Sequence, residues 1–396
     1  MANKSINDLP EGMVSEILVR LPVKSLLQCK SVCKPWLSLI STPHFVQSQL
    51  LRAIMASMNT PTLLSIEKPP LTEEELARKL AEMDTHIVTL FSDPALEQQQ
   101  QRRRQLVDEA LLDAAAQDLS SSPVQFHRLV MPRLFSTHYS IKSVCNGILC
   151  LANSFGNVVY LWNPSISKFK KLPAPEPYTC TTLPVKVGFG YDPISDDYKV
   201  FRVVSEKEFD VEPLIQVYSS NADSWTSEFK APILKNVEYY GRTNVVVDGV
   251  LYFDNNMDHL ISFDLHNESF GLVPIPSLTR MGSDVLDFQG SVAMVFQSGF
   301  EIYDLWTLDN VSGDVSWTKK FSIEAHPETE IWLTKYLGAA QFFGKKLFDR
   351  SVFMFNVLYD YEKKETKIYK HEEENVCAFL KYKETLVSLD GFEQMQ

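Results

Sequence analysis

No apolar run in this sequence approaches the roughly 20 residues that a bilayer-spanning helix needs, so a helical membrane span is not expected. Cysteine is sparse, six residues in 396, which fits reduced and buried thiols better than a disulfide framework. Met1 to Asn7 is polar and leads into Asp8, so no apolar export signal is expected there. Positive charge is short as well: 38 Lys and Arg against 50 Asp and Glu give a formal net charge of −12. Binding nucleic acid through its phosphates takes clustered Lys and Arg. The one dense basic run, Arg102-Arg103-Arg104, is soon followed by acids and reads as a solvated helix face. Glycine (15) and proline (21) show no short period, which excludes collagen-like and low-complexity chains. The expectation left standing is a globular protein of the cytoplasm or nucleus.

Aromatic residues are plentiful, with 24 Phe, 15 Tyr and 6 Trp, enough for a large core. At roughly 150 residues per domain, the length suits two or three domains. Residues 8–50 differ in pattern from everything after residue 123. Met13, Val14, Ile17, Leu18 and Leu21 recur at three- and four-residue steps and predict one helical face. Pro10 suits the first helical turn and Pro22 ends that helix. A second helix carries Leu26, Leu27, Cys29 and Val32; a third opens at Pro35, carries Trp36, Leu39 and Ile40, and stops before Pro43. Three helices of about ten residues cannot bury these groups among themselves. The head must cap a larger domain or offer a face to a partner.

Leu9-Pro10, Ile17-Leu18, Leu21-Pro22, Leu26, Val32-Cys33-Lys34, Trp36, Ile40 and Pro43-x-Phe45 together resemble the F-box motif. The resemblance implies binding to the Skp-type adaptor of a cullin-based ubiquitin ligase. It places Leu9, Pro10, Ile17, Leu18, Leu21, Pro22, Val32 and Trp36 in the adaptor-binding set. Pro35 departs from the family pattern; it is acceptable in the first turn of the third helix and would cost ~3 kcal/mol in the middle of one.

From Val124 onward, short apolar runs alternate with Gly, Asn, Asp and Pro, which is strand and turn chemistry. Such runs are 147–151, 158–162, 185–191, 198–204, 245–253 and 260–265, broken at Asn146-Gly147, Asn163-Pro164, Asp192-Pro193 and Asp248-Gly249. Asn163, Ser219, Asp264, Asp309 and Asp360 mark equivalent turns 45 to 56 residues apart. About four strands per unit at that spacing predicts a β-propeller, whose blades bury their faces only against one another. Five blades follow directly. Strands at 376–382 and 385–391, joined by Thr62–Ile66, make a sixth and hide the open edges. A two-sheet sandwich is the competing fold and explains the period less well.

Ser143-x-x-Asn146-Gly147, Trp162-Asn163-Pro164-Ser165, Gly188-Phe-Gly-Tyr-Asp192-Pro and Asp196-Asp197-Tyr198-Lys199-Val200 resemble the plant F-box-associated, kelch-like domain. So do Ser224-Trp225, Asp248-Gly249-Val250-Leu251-Tyr252, Ser262-Phe263-Asp264 and Ser316-Trp317-Thr318. The expected organisation is an F-box over 1–50, a linker and first propeller strand over 51–66, a charged insertion over 67–122 and the propeller over 123–396. In the insertion, 71–83 and 97–119 read as helices and 86–92 as a strand.

Sites of chemistry are not apparent. Gly188-Phe189-Gly190 lies on a strand without the helix a phosphate loop requires, and reads as a packing pair. Cys29-x3-Cys33 and Cys145-x4-Cys150 lack the second ligand pair that zinc would need. The eight histidines are scattered, and no G-x-S-x-G elbow occurs. Asp196-Asp197 reads as a turn rather than a glycosidase pair. No catalytic residue, metal or cofactor is therefore expected. The expected role is that of a non-catalytic substrate receptor: the head binds the adaptor and, through it, cullin, and the propeller binds a target protein for ubiquitination. An F-box scaffold acting without ubiquitin transfer and a propeller hydrolase are the other readings.

Overall fold

The computed structural model describes residues 9–59, 62–67, 69, 72, 125–135, 139–175, 185–204, 212–234, 244–254, 259–276, 284–299, 302–311, 314–324, 341–348, 351–360, 365–370 and 376–395. The elements expected within 73–122 lie outside those residues.

Four helices open the chain: α1 (Glu11–Leu18), α2 (Val23–Cys29), α3 (Lys34–Ile40) and α4 (Pro43–Asn59). Pro10 and Pro22 stand just before α1 and α2, with φ of −54° and −56° and extended ψ. Pro35 falls in the first turn of α3, where its missing N–H costs no hydrogen bond. Reading Pro43 only as a stop misses α4, because a proline that ends one helix also suits the start of the next. The Thr42 hydroxyl accepts the Phe45 N–H at 3.2 Å and caps this start. The stretch expected as a linker from residue 51 is thus helical as far as Asn59.

Val14, Leu18, Val23, Leu26, Ile40 and Phe45 form the core of the head, and Ile166 and Leu386 of the following domain complete it. The short helices gain by docking the burial they cannot supply alone.

Beyond the head the described residues are almost entirely strands. β1 (Thr62–Glu67) pairs in parallel with β2 (Gln125–Val130). β3 (Ser140–Cys145), β4 (Ile148–Ala152), β5 (Val159–Asn163) and β6 (Lys168–Lys171) form an antiparallel meander. So do β7 (Lys186–Asp192), β8 (Asp197–Val204), β9 (Leu214–Ser219) and β10 (Ser224–Lys230). A third meander joins β11 (Asn244–Val247), β12 (Val250–Asp254), β13 (His259–Asp264) and β14 (Ser269–Pro274). A fourth joins β15 (Asp284–Phe288), β16 (Ser291–Gly299), β17 (Ile302–Val311) and β18 (Asp314–Glu324). β19 (Gln341–Phe348), β20 (Ser351–Asp360) and β21 (Glu365–Lys370) make a three-stranded sheet. β22 (Val376–Lys381) returns to pair antiparallel with β1, Leu63 opposite Lys381. Finally β23 (Glu393–Gln394) adds an edge to β6.

The first strands of successive sheets pack on one another, β3 on β7, β7 on β11 and β11 on β15, an arrangement consistent with a propeller. Asn163, Ser219 and Asp264 end the third strands β5, β9 and β13, which is why they recur at blade spacing. Tight turns at Asn146-Gly147, Asp248-Gly249 and Gln289-Gly290 adopt positive φ, as two-residue hairpins of this hand demand. Sheets are also tied edge to edge. Trp225 Nε1 donates to Pro173 O at 2.9 Å, and Trp317 Nε1 repeats the bond to Pro274 O at 2.8 Å. Residues 385–391, expected as a strand, pair with no ladder and end in a turn at Asp390-Gly391; side-chain amides take up backbone groups of Thr385, Leu386 and Val387 instead.

Candidate functional site

The five apolar residues expected on one face of the first helix divide between two. Val14 and Leu18, four apart, point into the head core. Met13 and Ile17, also four apart, point outward, 58% and 42% exposed, and Leu9 extends the stripe by another turn. Of the expected adaptor set, Leu9, Pro10, Ile17, Pro22 and Val32 are exposed, Val32 at 62%. Leu21 and Trp36 are half-buried against the core, each keeping an accessible edge. Leu18 is buried at 1% and acts from inside, holding α1 on the head. Leu27 and Leu37 are exposed too and were not in the set. The four-residue spacing of Leu9, Met13 and Ile17 is the signal that would have picked out Met13. Arg20 and Glu16 form an exposed pair at 3.7 Å beside this stripe. Large apolar side chains left in water at helical spacing are suited to a groove on another helical protein.

Chemistry-bearing groups elsewhere are engaged structurally. Asp192 is the centre of the most elaborate cluster. Its carboxylate accepts from the Ser195 hydroxyl and from the Ile194 N–H at 2.9 Å, with His266 Nδ1 at 3.1 Å. Lys199 Nζ lies 3.9 Å away and is held by Leu265 O at 2.7 Å and Glu268 Oε1 at 2.9 Å. Burial alone would raise the Asp192 carboxyl, but the bonds from Ser195, Ile194 and His266 hold it below the usual carboxylate range. Serine, histidine and aspartate are all present, yet Ser195 and His266 both face the carboxylate, so the hydroxyl has no imidazole base. The cluster closes the β7–β8 turn and ties it to the β13–β14 turn.

Asp196, in the turn, has φ of 50°, while its neighbour Asp197 is buried and accepts from Ser219 Oγ, Ser220 Oγ and the Asn221 N–H. They serve two different jobs in the turn. A β-carbon on Gly188 would overlap the Phe201 ring, and one on Gly190 would meet Leu265 and Val246, so these glycines permit close packing. Cys145 and Cys150 are pushed up to about 12 by burial, which keeps them as thiols. Among the described residues, no three His, Cys, Asp or Glu side chains are grouped to hold a metal ion.

The geometry is that of a helical head with an outward apolar stripe, docked on a series of antiparallel sheets consistent with a propeller, and sequence comparison gives the family. Residues 6–48 match the F-box domain, and residues 101–382 match the F-box associated beta propeller domain. The chain belongs to the F-box proteins that carry this propeller domain. Its relatives include the F-box/kelch-repeat protein At3g23880 of Arabidopsis thaliana, 25% identical over 81% of this chain and 80% of the relative. The F-box/LRR-repeat protein At2g43260 of the same plant is 24% identical over 97% of this chain and 83% of its own length. Both are plant proteins.

Proposed function

We propose that this protein is the substrate-recognition subunit of a Skp–cullin–F-box ubiquitin ligase, without catalytic chemistry of its own. The observation that carries the reading is the outward stripe of Leu9, Met13 and Ile17 on a head whose sequence matches the F-box domain. In this reading the adaptor covers that stripe together with Pro10, Leu21, Pro22, Val32, Leu37 and the open edge of Trp36. Leu18 contributes by keeping α1 seated. The propeller has six blades, the last closed by β22 on β1, and its loops choose a target protein. Binding converts a bimolecular encounter into a local one: the ligase gains effective concentration of target lysines near the ubiquitin carrier. The free thiols of Cys29, Cys33, Cys145 and Cys150 support a cytoplasmic or nuclear setting.

The test is binding of the full chain to a purified Skp-type adaptor by calorimetry. Burying the exposed part of one Ile or Met is worth about 1 kcal/mol, so Ile17→Asp, which also strands a charge, should weaken binding more than tenfold. Joint replacement of Leu9 and Pro10 by Ala should weaken it as well. Leu18→Ala should instead lower the melting temperature of the head. Unchanged affinity in both surface variants would overturn the assigned face.

A further inference from the structure

The F-box match ends at residue 48 and the propeller match at residue 382. Just past each boundary lies one half of a joint. The chain after β22 runs extended between α4 and the β3–β6 sheet, and its backbone groups alternate sides as an extended chain requires. On the head side, Gln49 Nε2 donates to Glu384 O at 3.1 Å while Gln49 Oε1 accepts the Leu386 N–H at 3.1 Å. On the sheet side, Asn163 Nδ2 donates to Thr385 O at 3.1 Å and to Val387 O at 2.9 Å. Side chains follow the same alternation. Leu386 enters the head core, and Val387 enters the core of the sheet domain beside Leu50. The strap is also hydrogen-bonded to the first meander: Thr385 Oγ1 donates to Asn146 O at 2.7 Å, Lys170 Nζ to Asp390 O at 2.7 Å, and the Met395 N–H to Ser167 O at 2.8 Å.

We infer that Gln49 is a positioning residue, and that residues 384–387 form a two-sided strap through which it fixes the orientation of the head on the ring. The bidentate amide contact is buried, with Gln49 6% exposed, so water does not replace it without opening the joint. α4 ends at Asn59 and β1 begins at Thr62, so the covalent link is short, and beside it the head docks through apolar contacts of Ile166 and Leu50 that carry no directional bond. The strap adds a directional, hydrogen-bonded tie on the same helix nearly three turns earlier, at Gln49. Resting on the ligase reading, the consequence is a set distance between the adaptor under the head and the target on the ring, which restricts the lysines that receive ubiquitin.

The decisive variant is Gln49→Met, which keeps an unbranched side chain of similar volume and removes both bonds. Spin labels carried on unnatural amino acids at Glu16 and Ile194, both exposed, report head-to-ring distance in the full chain. The wild type should give one narrow distance distribution and the variant a broad one. Hydrogen exchange at the Leu386 amide should accelerate at least tenfold, and adaptor affinity should stay within twofold. In a ligase reconstituted with the adaptor and cullin, the variant's own ubiquitinated lysines should spread over more positions than in the wild type. Gln49→Ala removes both bonds without burying a charge; its distribution should broaden as well, and it carries the test if Gln49→Met does not fold. A merely structural Gln49 would lower the melting temperature and leave the distances narrow, which overturns the inference. Failure of the wild type to bind any Skp-type adaptor overturns the ligase reading instead, and the label distances still decide the role of Gln49.

Discussion

Asn163→Ala should destabilise the folded chain by about 2–6 kcal/mol, from two buried carbonyls left unpaired at ~1–3 kcal/mol each. Asn163 is fully buried, and its amide donates to the carbonyls of Thr385 and Val387. Its Oδ1 accepts the Ser165 N–H at 3.0 Å and the Tyr382 hydroxyl at 3.3 Å. These last two losses are cheaper: Tyr382 retains Ser165 Oγ at 2.7 Å and Gly147 O at 3.2 Å, and the Ser165 N–H lies only partly buried. The strap carbonyls are the costly ones, since alanine offers no donor in their place. Against a typical domain stability of ~5–15 kcal/mol, this loss is large. Urea unfolding of the full chain, followed by tryptophan fluorescence, measures it. A second variant, Thr385→Val, is close in shape and removes the bond from Thr385 Oγ1 to Asn146 O, which should cost about 1 kcal/mol. Because Asn163 Nδ2 also lies 3.3 Å from Thr385 Oγ1, the double variant should depart from additivity by roughly 1 kcal/mol. If Asn163→Ala falls within about 0.5 kcal/mol of wild type and the cycle is additive, the strap bonds do not carry the stability assigned to them.

Three other outcomes are expected. Gly188→Ala drives a methyl into the Phe201 ring and within 2.7 Å of Leu251, and should cost ~1–3 kcal/mol in the same unfolding assay. Asp192 has a lowered carboxyl pKa, so its contribution is complete above the unfolded value of about 4 and is lost as pH falls through the folded one. The stability gap between wild type and Asp192→Asn should therefore close as pH is lowered below about 4; a gap independent of pH would refute the ionic role. Cys150, fully buried, should resist iodoacetamide at pH 8 in the native chain while the partly exposed Cys29 and Cys33 react, as read by mass spectrometry of the peptides.

Local chemistry made much of the fold legible. Asn-Gly and Asp-Gly pairs dictate left-handed turn residues, so the hairpins at Asn146 and Asp248 follow from the sequence alone. The repeat is readable because Asn163, Ser219 and Asp264 each close a third strand. What stayed hidden depends on contacts between distant residues. Phe45, Val46, Gln49, Leu50 and Ile54 sit at helical steps, but Pro43 masks the start of α4. Residues 385–391 look like a strand because they are apolar and extended, and nothing local says that Gln49 and Asn163 replace neighbouring strands. At the candidate site, the F-box pattern picks out α1 as a whole. It does not divide Ile17 from Leu18, because which side of a short helix faces the core depends on what that helix is docked against, here Ile166 and Leu386.

The pairing of Leu63 with Lys381 joins segments made near the beginning and near the end of synthesis. During translation the head helices are complete long before β22 leaves the ribosome, and until then β1 waits with one edge bare. An unpaired edge of that kind recruits other strands, so the interval favours aggregation or chaperone capture. A nascent chain halted before Val376 would lack both the strand that covers β1 and the Leu386 side chain that completes the head core, and its lifetime would be set by quality control.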